Sequence, residues 1–154
     1  MSTSGLTKAL GEEEATAAIR VLARLARVAE QTCQGAGISL PQYRLLVSVS
    51  GRPQRASELA ASVGVSRPTL TSLVDGLEGA GLLKRVPVPT DRRGIMLELT
   101  PAGREAIAGA ERALIRRIGR LVNGDAESAM GPLRDLVAGL ARALDREREV
   151  AIGG

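Results

Sequence analysis

Residues 56–100 read ASELAASVGVSRPTLTSLVDGLEGAGLLKRVPVPTDRRGIMLELT, and this stretch decides the fold. Ser57 opens a short helix with Glu58 in its first turn, and Leu59, Ala60 and Val63 fall on its inner face. Gly64-Val65-Ser66 is a turn, with Gly64 where the chain needs a positive φ. Ser66 caps a second helix that tolerates Pro68 in its first turn, because the N–H lost there has no helical partner. Leu70, Leu73, Val74 and Leu77 share one face of that helix and must be core. Gly81 ends it. Leu82 to Val86 reads as a strand, and Ile95, Leu97 and Leu99 alternate with Met96 and Glu98 as a half-buried antiparallel partner. Pro87 and Pro89 are expected to form a stiff, non-pairing tip, beside a loop of Asp91, Arg92, Arg93 and Gly94. Two helices joined by a tight turn and followed by a β-hairpin make a winged helix-turn-helix.

The outer face of the second helix holds Pro68, Thr69, Ser72, Asp75, Gly76 and Gly79, with Thr71 at its margin. Exposed helix faces are more often rich in Lys, Glu and Gln. A face of Ser, Thr and Gly lets a backbone approach another surface closely, and hydroxyls can contact phosphates or bases. Two arginines near a hairpin tip suit a minor groove, whose negative potential attracts them, and Asp91 is placed to hold Arg93 extended. The plain alternatives are a solvated helix face and a solvated charged loop.

Outward from this unit, residues 1–11 are small and polar and are expected to be frayed and flexible. A helix runs from about Glu13 to Gln34. Ala18, Leu22, Leu25 and Ala29 lie on one face, widened by Val21 and Val28. Arg20, Arg24 and Arg27 line the other, as a solvated face or as a contact for DNA or a ligand. Ser39-Leu40-Pro41 opens a helix carrying Tyr43, Leu46, Val47 and Val49, and Arg55-Ala56 reads as a very short strand joining the wing. Thr100 caps a further helix with Pro101 at its first position, running to about Asn123. Its stripe is Ile107, Ala110, Leu114, Ile118 and Leu121. After a break at Asn123-Gly124-Asp125, a last helix carries Leu133, Val137, Leu140 and Leu144, with Gly131-Pro132 as a kink or a late start.

The division expected is a flexible 1–11, a dimerisation helix at 12–37, a winged helix-turn-helix at 38–101, dimerisation helices at 102–146 and a flexible tail at 147–154. The fold class is mainly α (α+β): a winged helix-turn-helix with long N- and C-terminal dimerisation helices. Such a unit folds without these long helices, so their apolar stripes are most simply buried between two protomers, in a homodimer that reads half-sites one DNA turn apart.

Composition agrees with a helical chain of 154 residues whose one aromatic residue is Tyr43. Basic residues number 21 against 17 acidic, a net +4, and all but Lys8 and Lys84 are Arg. Arg suits bidentate contacts to phosphate and guanine, although a coding bias toward Arg and Ala gives the same composition. With one cysteine, Cys33, and no histidine, neither an internal disulfide nor a Cys/His zinc site is expected. No metal, no cofactor and no membrane span are expected, nor a secretory leader, so the expected location is cytoplasmic. Nothing resembles a nucleophile elbow or a phosphate-binding Gly loop, which argues against an enzyme.

Leu83-Lys84-Arg85-Val86, then Asp91-Arg92-Arg93, then Leu99-Thr100-Pro101-Ala102-Gly103 resemble the MarR (multiple antibiotic resistance regulator) family. Leu40-Pro41-Gln42-Tyr43 and Gly81-Leu82-Leu83 agree, and the resemblance covers roughly residues 15–145. It implies a homodimeric transcription regulator, often a repressor released by a small phenolic or lipophilic effector, bound to a pseudo-palindromic operator in double-stranded DNA. Carried onto this chain, it implies DNA contacts from Ser66, Arg67, Pro68, Thr69, Thr71 and Ser72, with Arg92 and Arg93 on the wing and Asp91 orienting Arg93. Many members have arginine where this chain has Ser72 and Gly76, so fewer phosphate or guanine contacts are expected. The family's effector pocket implies Arg27, Tyr43 and Arg44. Members that sense oxidants carry a cysteine near the start of the first helix. Cys33 lies near its end and reads as a buried small hydrophobe. The alternatives kept beside this reading are a winged helix used for protein–protein contact and a redox-responsive regulator acting through Cys33.

Overall fold

The computed structural model describes residues 4–55, 59–60, 63–88, 91–122, 134–135 and 137–147, and the side chains of all these except 4–10 and 91–93. In chain order the elements are α1 (Ser4–Gly35), α2 (Leu40–Ser50), β1 (Gln54–Arg55), α3 (Arg67–Gly79), β2 (Leu83–Val88), β3 (Asp91–Leu99) and α4 (Pro101–Val122). Residues 59–60, 63, 134–135 and 137–147 are also helical. The expected helix start at Ser57-Glu58, the Pro89 tip, the break at 123–125, Gly131-Pro132, Leu133 and most of the tail lie outside the described residues.

The starts of α2, α3 and α4 each follow from a side chain that replaces missing backbone partners. At α2, Ser39 Oγ accepts from Gln42 N at 3.2 Å while Gln42 Oε1 accepts from Ser39 N at 2.8 Å, a reciprocal capping box. At α3, Ser66 Oγ accepts from Thr69 N at 3.3 Å. At α4, Thr100 Oγ1 accepts from Gly103 N at 3.0 Å. Gly64, in the turn before α3, has φ 73, as that turn requires.

A three-stranded antiparallel sheet in the order β1-β3-β2 completes the winged unit. Its core joins Leu45, Leu46 and Val49 of α2 to Leu59, Leu70, Val74, Leu77, Leu83, Leu97 and Leu99. Ile107 and Ala110 of α4 close it from one side, and Cys33 and Ile38 from another. Leu45, fully buried, is a core residue that the sequence pattern did not single out. Val47, grouped with the inward residues of α2, is 39% exposed.

Three expectations are corrected. Residues 4–10, expected to be frayed, are helical, and Gly11 separates them from the long helix, which starts close to residue 13 as expected. Leu6, Ala9 and Leu10 are good helix formers, and Gly11, at φ 65 and ψ 164, kinks the helix before the Glu12-Glu13-Glu14 turn. Pro87 is not a non-pairing tip: it sits inside β2 opposite Ile95, with the register shifting between Pro87 and Val88. A proline is tolerated there because β2 is an edge strand. Asp91 to Gly94, expected as a loop, belong to β3, whose Asp91 pairs with Val88. The hairpin is therefore longer than the alternation of apolar residues suggested.

The long helices do not bury their own stripes. On α1, Ile19, Val21, Leu22 and Leu25 are 56%, 51%, 54% and 39% exposed. On α4 the stripe starts in the core at Ile107 and Ala110, then emerges at Ile118 and Leu121, 44% and 52% exposed. Among the described residues no helix is long and apolar enough to cross a membrane.

Cys33 is fully buried, and burial pushes its thiol above its ordinary pKa of 9.0. A buried neutral thiol is a poor redox sensor, which counts against the Cys33 alternative. Burial, then the neighbouring Glu111 carboxylate, raises Tyr43 above its ordinary 10.0, and its hydroxyl donates to Glu111 Oε1 at 3.3 Å.

The start of α4 presses against the turn that precedes β2. A Cβ on Gly103 would stand 2.1 Å from the carbonyl oxygen of Leu82 and 2.7 Å from Leu99 Cδ1. Both belong to the wing base, so neither a rotamer change nor a small shift relieves the clash. Gly103→Ala should lower unfolding stability by about 2 kcal/mol or more in denaturant titration; an unchanged midpoint would mean that α4 does not dock this closely. Both raised acids hold their protons more tightly folded than unfolded, so their contribution is complete below the unfolded values and is lost as pH rises from there through the higher folded ones. The thermal midpoint should thus stay level to about pH 8.5 and fall as pH rises above it. In Cys33→Ala the fall should shrink and start later.

Candidate nucleic-acid interface

The exposed side of α3 is built from short side chains. Arg67, Pro68, Thr69, Thr71 and Ser72 are all exposed, as is Ser66 at the cap. Their hydroxyls are engaged locally. Ser66 Oγ lies 2.8 Å from Thr69 Oγ1. Thr71 and Ser72 donate to the carbonyls of Arg67 and Pro68 at 3.1 and 3.2 Å. With their protons committed to the helix, these oxygens turn lone pairs outward, able to accept from base amino groups. Gly76, expected on the same outer face, is exposed, but a Cβ there would point to Gln42 Nε2 at 3.9 Å. The open surface of α3 thus centres on its N-terminal two turns.

Arg67 is the one cation in α3, against Asp75 and Glu78. The two acids are neutralised from the wing by Arg85, on β2. Its guanidinium reaches Asp75 Oδ1 at 2.5 Å and also pairs with Glu78, and its backbone N–H donates to Glu78 Oε1 at 3.1 Å. One side chain thereby fastens the hairpin to α3 and removes the negative charge that would repel a polyanion. These pairings lift the Arg85 pKa further above its ordinary value, led by the bond to Asp75. Sequence reading missed this residue. The signal was there: Asp75 and Glu78 share a helix face at i, i+3, and Arg85 follows on the returning strand.

At the wing base, Thr100 joins three elements. Its hydroxyl donates to Gly81 O at 2.8 Å and its N–H to Leu82 O at 3.3 Å, while Oγ1 caps α4. This explains the Leu-Thr-x-x-Gly pattern at 99–103: threonine to bind both ways, glycine to let the helix close in. Lys84 and Glu98, opposite each other on β2 and β3, pair at 2.7 Å.

Asp91, Arg92 and Arg93 begin β3 beside the hairpin end, and their side chains lie outside the description. Of the three residues expected in an effector pocket, Arg27 and Arg44 are exposed and Tyr43 is half-buried against Glu111. None of the three lines the cleft of about 510 Å³ between the end of α2, the wing base and the start of α4. Among the described residues no group of His, Cys, Asp or Glu is arranged to hold a metal.

Comparison with known proteins agrees with this geometry. A family profile described as "MarR family" matches residues 36–94, from the end of α1 into β3. A "putative transcriptional regulatory protein for hcr operon" of Thauera aromatica is 35% identical over 82 residues, covering 53% of this chain and 49% of that protein. The chain spans about half, or less, of the length of the curated relatives it matches. Among solved structures, RV1404 from Mycobacterium tuberculosis is 28% identical with a TM-score of 0.71, over 93% of this chain and 94% of that one. "Transcriptional repressor, CouR, bound to a 23-mer DNA duplex" is 26% identical with a TM-score of 0.66, over 92% of this chain and 99% of that one.

If Arg85 ties the wing to α3, Arg85→Gln should lower unfolding stability by about 0.5–1 kcal/mol, a modest value because all three partners are partly exposed. Amide exchange should quicken at Arg85 and along the last turn of α3. Unchanged exchange at both places would remove the clamp.

Proposed function

We propose that the chain is a MarR-family winged-helix protein and, with it, a sequence-specific, homodimeric DNA-binding transcription regulator. The observation that carries this reading is the pairing of α3 and wing. A helix with a small, hydroxyl-bearing, exposed face is locked by Arg85 to a hairpin whose far end bears Arg92 and Arg93. In this reading Ser66, Arg67, Pro68, Thr69, Thr71 and Ser72 meet the major groove, Arg93 enters the minor groove, and Asp91 and Arg92 flank it. The whole-chain likeness to a repressor described as bound to a DNA duplex supports it.

The dimer is proposed from the faces that the single chain leaves uncovered. Ile19, Leu22, Ile115, Leu121, Val137, Leu140 and Leu144 are each about half exposed or more, on the helices at the two ends of the chain. Exposed apolar residues in rows along long helices, unlike single scattered ones, mark an interaction surface. A two-fold pairing of α1, α4 and the 134–147 helix covers them and sets two copies of α3 at a fixed spacing. We take the dimer to act as a repressor in the cytoplasm, released by a small effector.

Two measurements check the reading. On a duplex taken from beside its own gene, Arg93→Ala should weaken binding and lower the slope of log affinity against log salt by about one unit. Unchanged affinity and slope would take the wing out of the mechanism. In sedimentation, the native chain should run as a dimer and Leu22→Glu combined with Ile118→Glu as a monomer; a native monomer would sink the proposed assembly.

A further inference from the structure

The cleft at the wing base has features that the DNA-binding reading does not use. Three cationic residues line it from three separate segments: Arg52 from the loop after α2, Lys84 from β2 and Arg104 from the first turn of α4. Glu98 is the one acidic residue in the lining, and it pairs with Lys84 at 2.7 Å. Among the described residues Arg52 and Arg104 form no ion pair. Two uncompensated charges of one sign face one concavity, an arrangement that a bound anion relieves. The start of α4 opens into the same space at Pro101, and the positive end of its dipole adds to the field.

The lining also defines the rest of the ligand. Val49 and Leu99, almost wholly buried, supply an apolar floor, and Pro53 and Pro101 line the cleft above it. The Thr100 hydroxyl is already committed to Gly81 O and Gly103 N, so it offers little to a neutral polar guest. No lining residue is aromatic, so nothing selects a flat ring by stacking. The volume, about 510 Å³, is that of a small-molecule site.

We propose that this cleft binds a small organic anion, a carboxylate on a compact aliphatic body, with Arg52 and Arg104 holding the charge and Lys84 shared with Glu98. The site is distinct from Arg27, Tyr43 and Arg44, none of which lines it. Because Lys84 and Glu98 bridge the two long wing strands, occupancy competes with that pairing at the wing base. The consequence for DNA rests on the proposed function above; the binding itself does not.

The test uses the full chain without DNA, so its outcome and that of the DNA reading are separable. Cyclohexanecarboxylate is titrated in amide-resolved NMR, with cyclohexanecarboxamide as its neutral isostere and inorganic phosphate as an anion without an apolar body. The carboxylate should give saturable shifts at residues 50–53 and 100–104, and the amide none. Phosphate should bind more weakly at the same residues. Arg52→Gln and Arg104→Gln should each weaken the carboxylate about tenfold, while Arg24→Gln on the exposed side of α1 leaves it unchanged. Equal response to the amide, non-saturating shifts, or indifference to both cleft substitutions would overturn the site. Phosphate binding as tightly as the carboxylate would overturn the apolar part of its specificity.

Discussion

The Arg85 guanidinium, held between Asp75 and Glu78, is the contact on which the reading surface depends. The helix-turn-helix and the hairpin, joined by the short Ala80–Leu82 segment, share a core through Leu77, Leu83 and Leu97, and Arg85 adds the polar contact that sets their orientation on the exposed side. Here a strand side chain grips two carboxylates one helical turn apart, and its own backbone N–H donates to one of them. The exposed location limits the energy, so this is a device for orientation more than for stability. It also settles a charge problem, since α3 alone carries two acids against Arg67. With Arg85 counted, the unit that faces a polyanion is no longer acidic.

The wing is anchored at its other end by Thr100 and Gly103. The threonine binds the Gly81 and Leu82 backbone while capping α4, and the glycine brings the helix into contact with the Leu82 carbonyl. The hairpin is thus fixed to α3 on one side and to a long helix of the proposed dimer on the other. These contacts tie the start of α4 to the wing base at Gly81 and Leu82. The cationic cleft lies at this same junction.

Much of this was legible in the sequence. The Ser39, Ser66 and Thr100 caps, the Gly64 turn and the alternation at 95–99 are local signals with local causes, and they placed most of the elements. What failed was what depends on neighbours. Pro87 reads as a strand breaker, and only the sheet order shows that β2 is an edge where a missing N–H costs nothing. Residues 91–94 lack apolar alternation because that part of the hairpin extends beyond the core. The Arg85 pairing and the convergence of Arg52, Lys84 and Arg104 join residues from different segments, which no periodicity reports. The faces of α1 and α4 read as apolar, and among the described residues Ile19, Leu22, Ile118 and Leu121 remain exposed on them.

The most direct measurement of the central claim is hydroxyl-radical footprinting of the protein on a duplex selected from a random pool. Two copies of an Arg85-locked unit, set apart by paired long helices, predict two symmetric protected patches about one helical turn apart, each with a minor-groove component from the wing. A single patch, or protection spread evenly along the duplex, would contradict the claim that this fold presents two reading units at a fixed spacing.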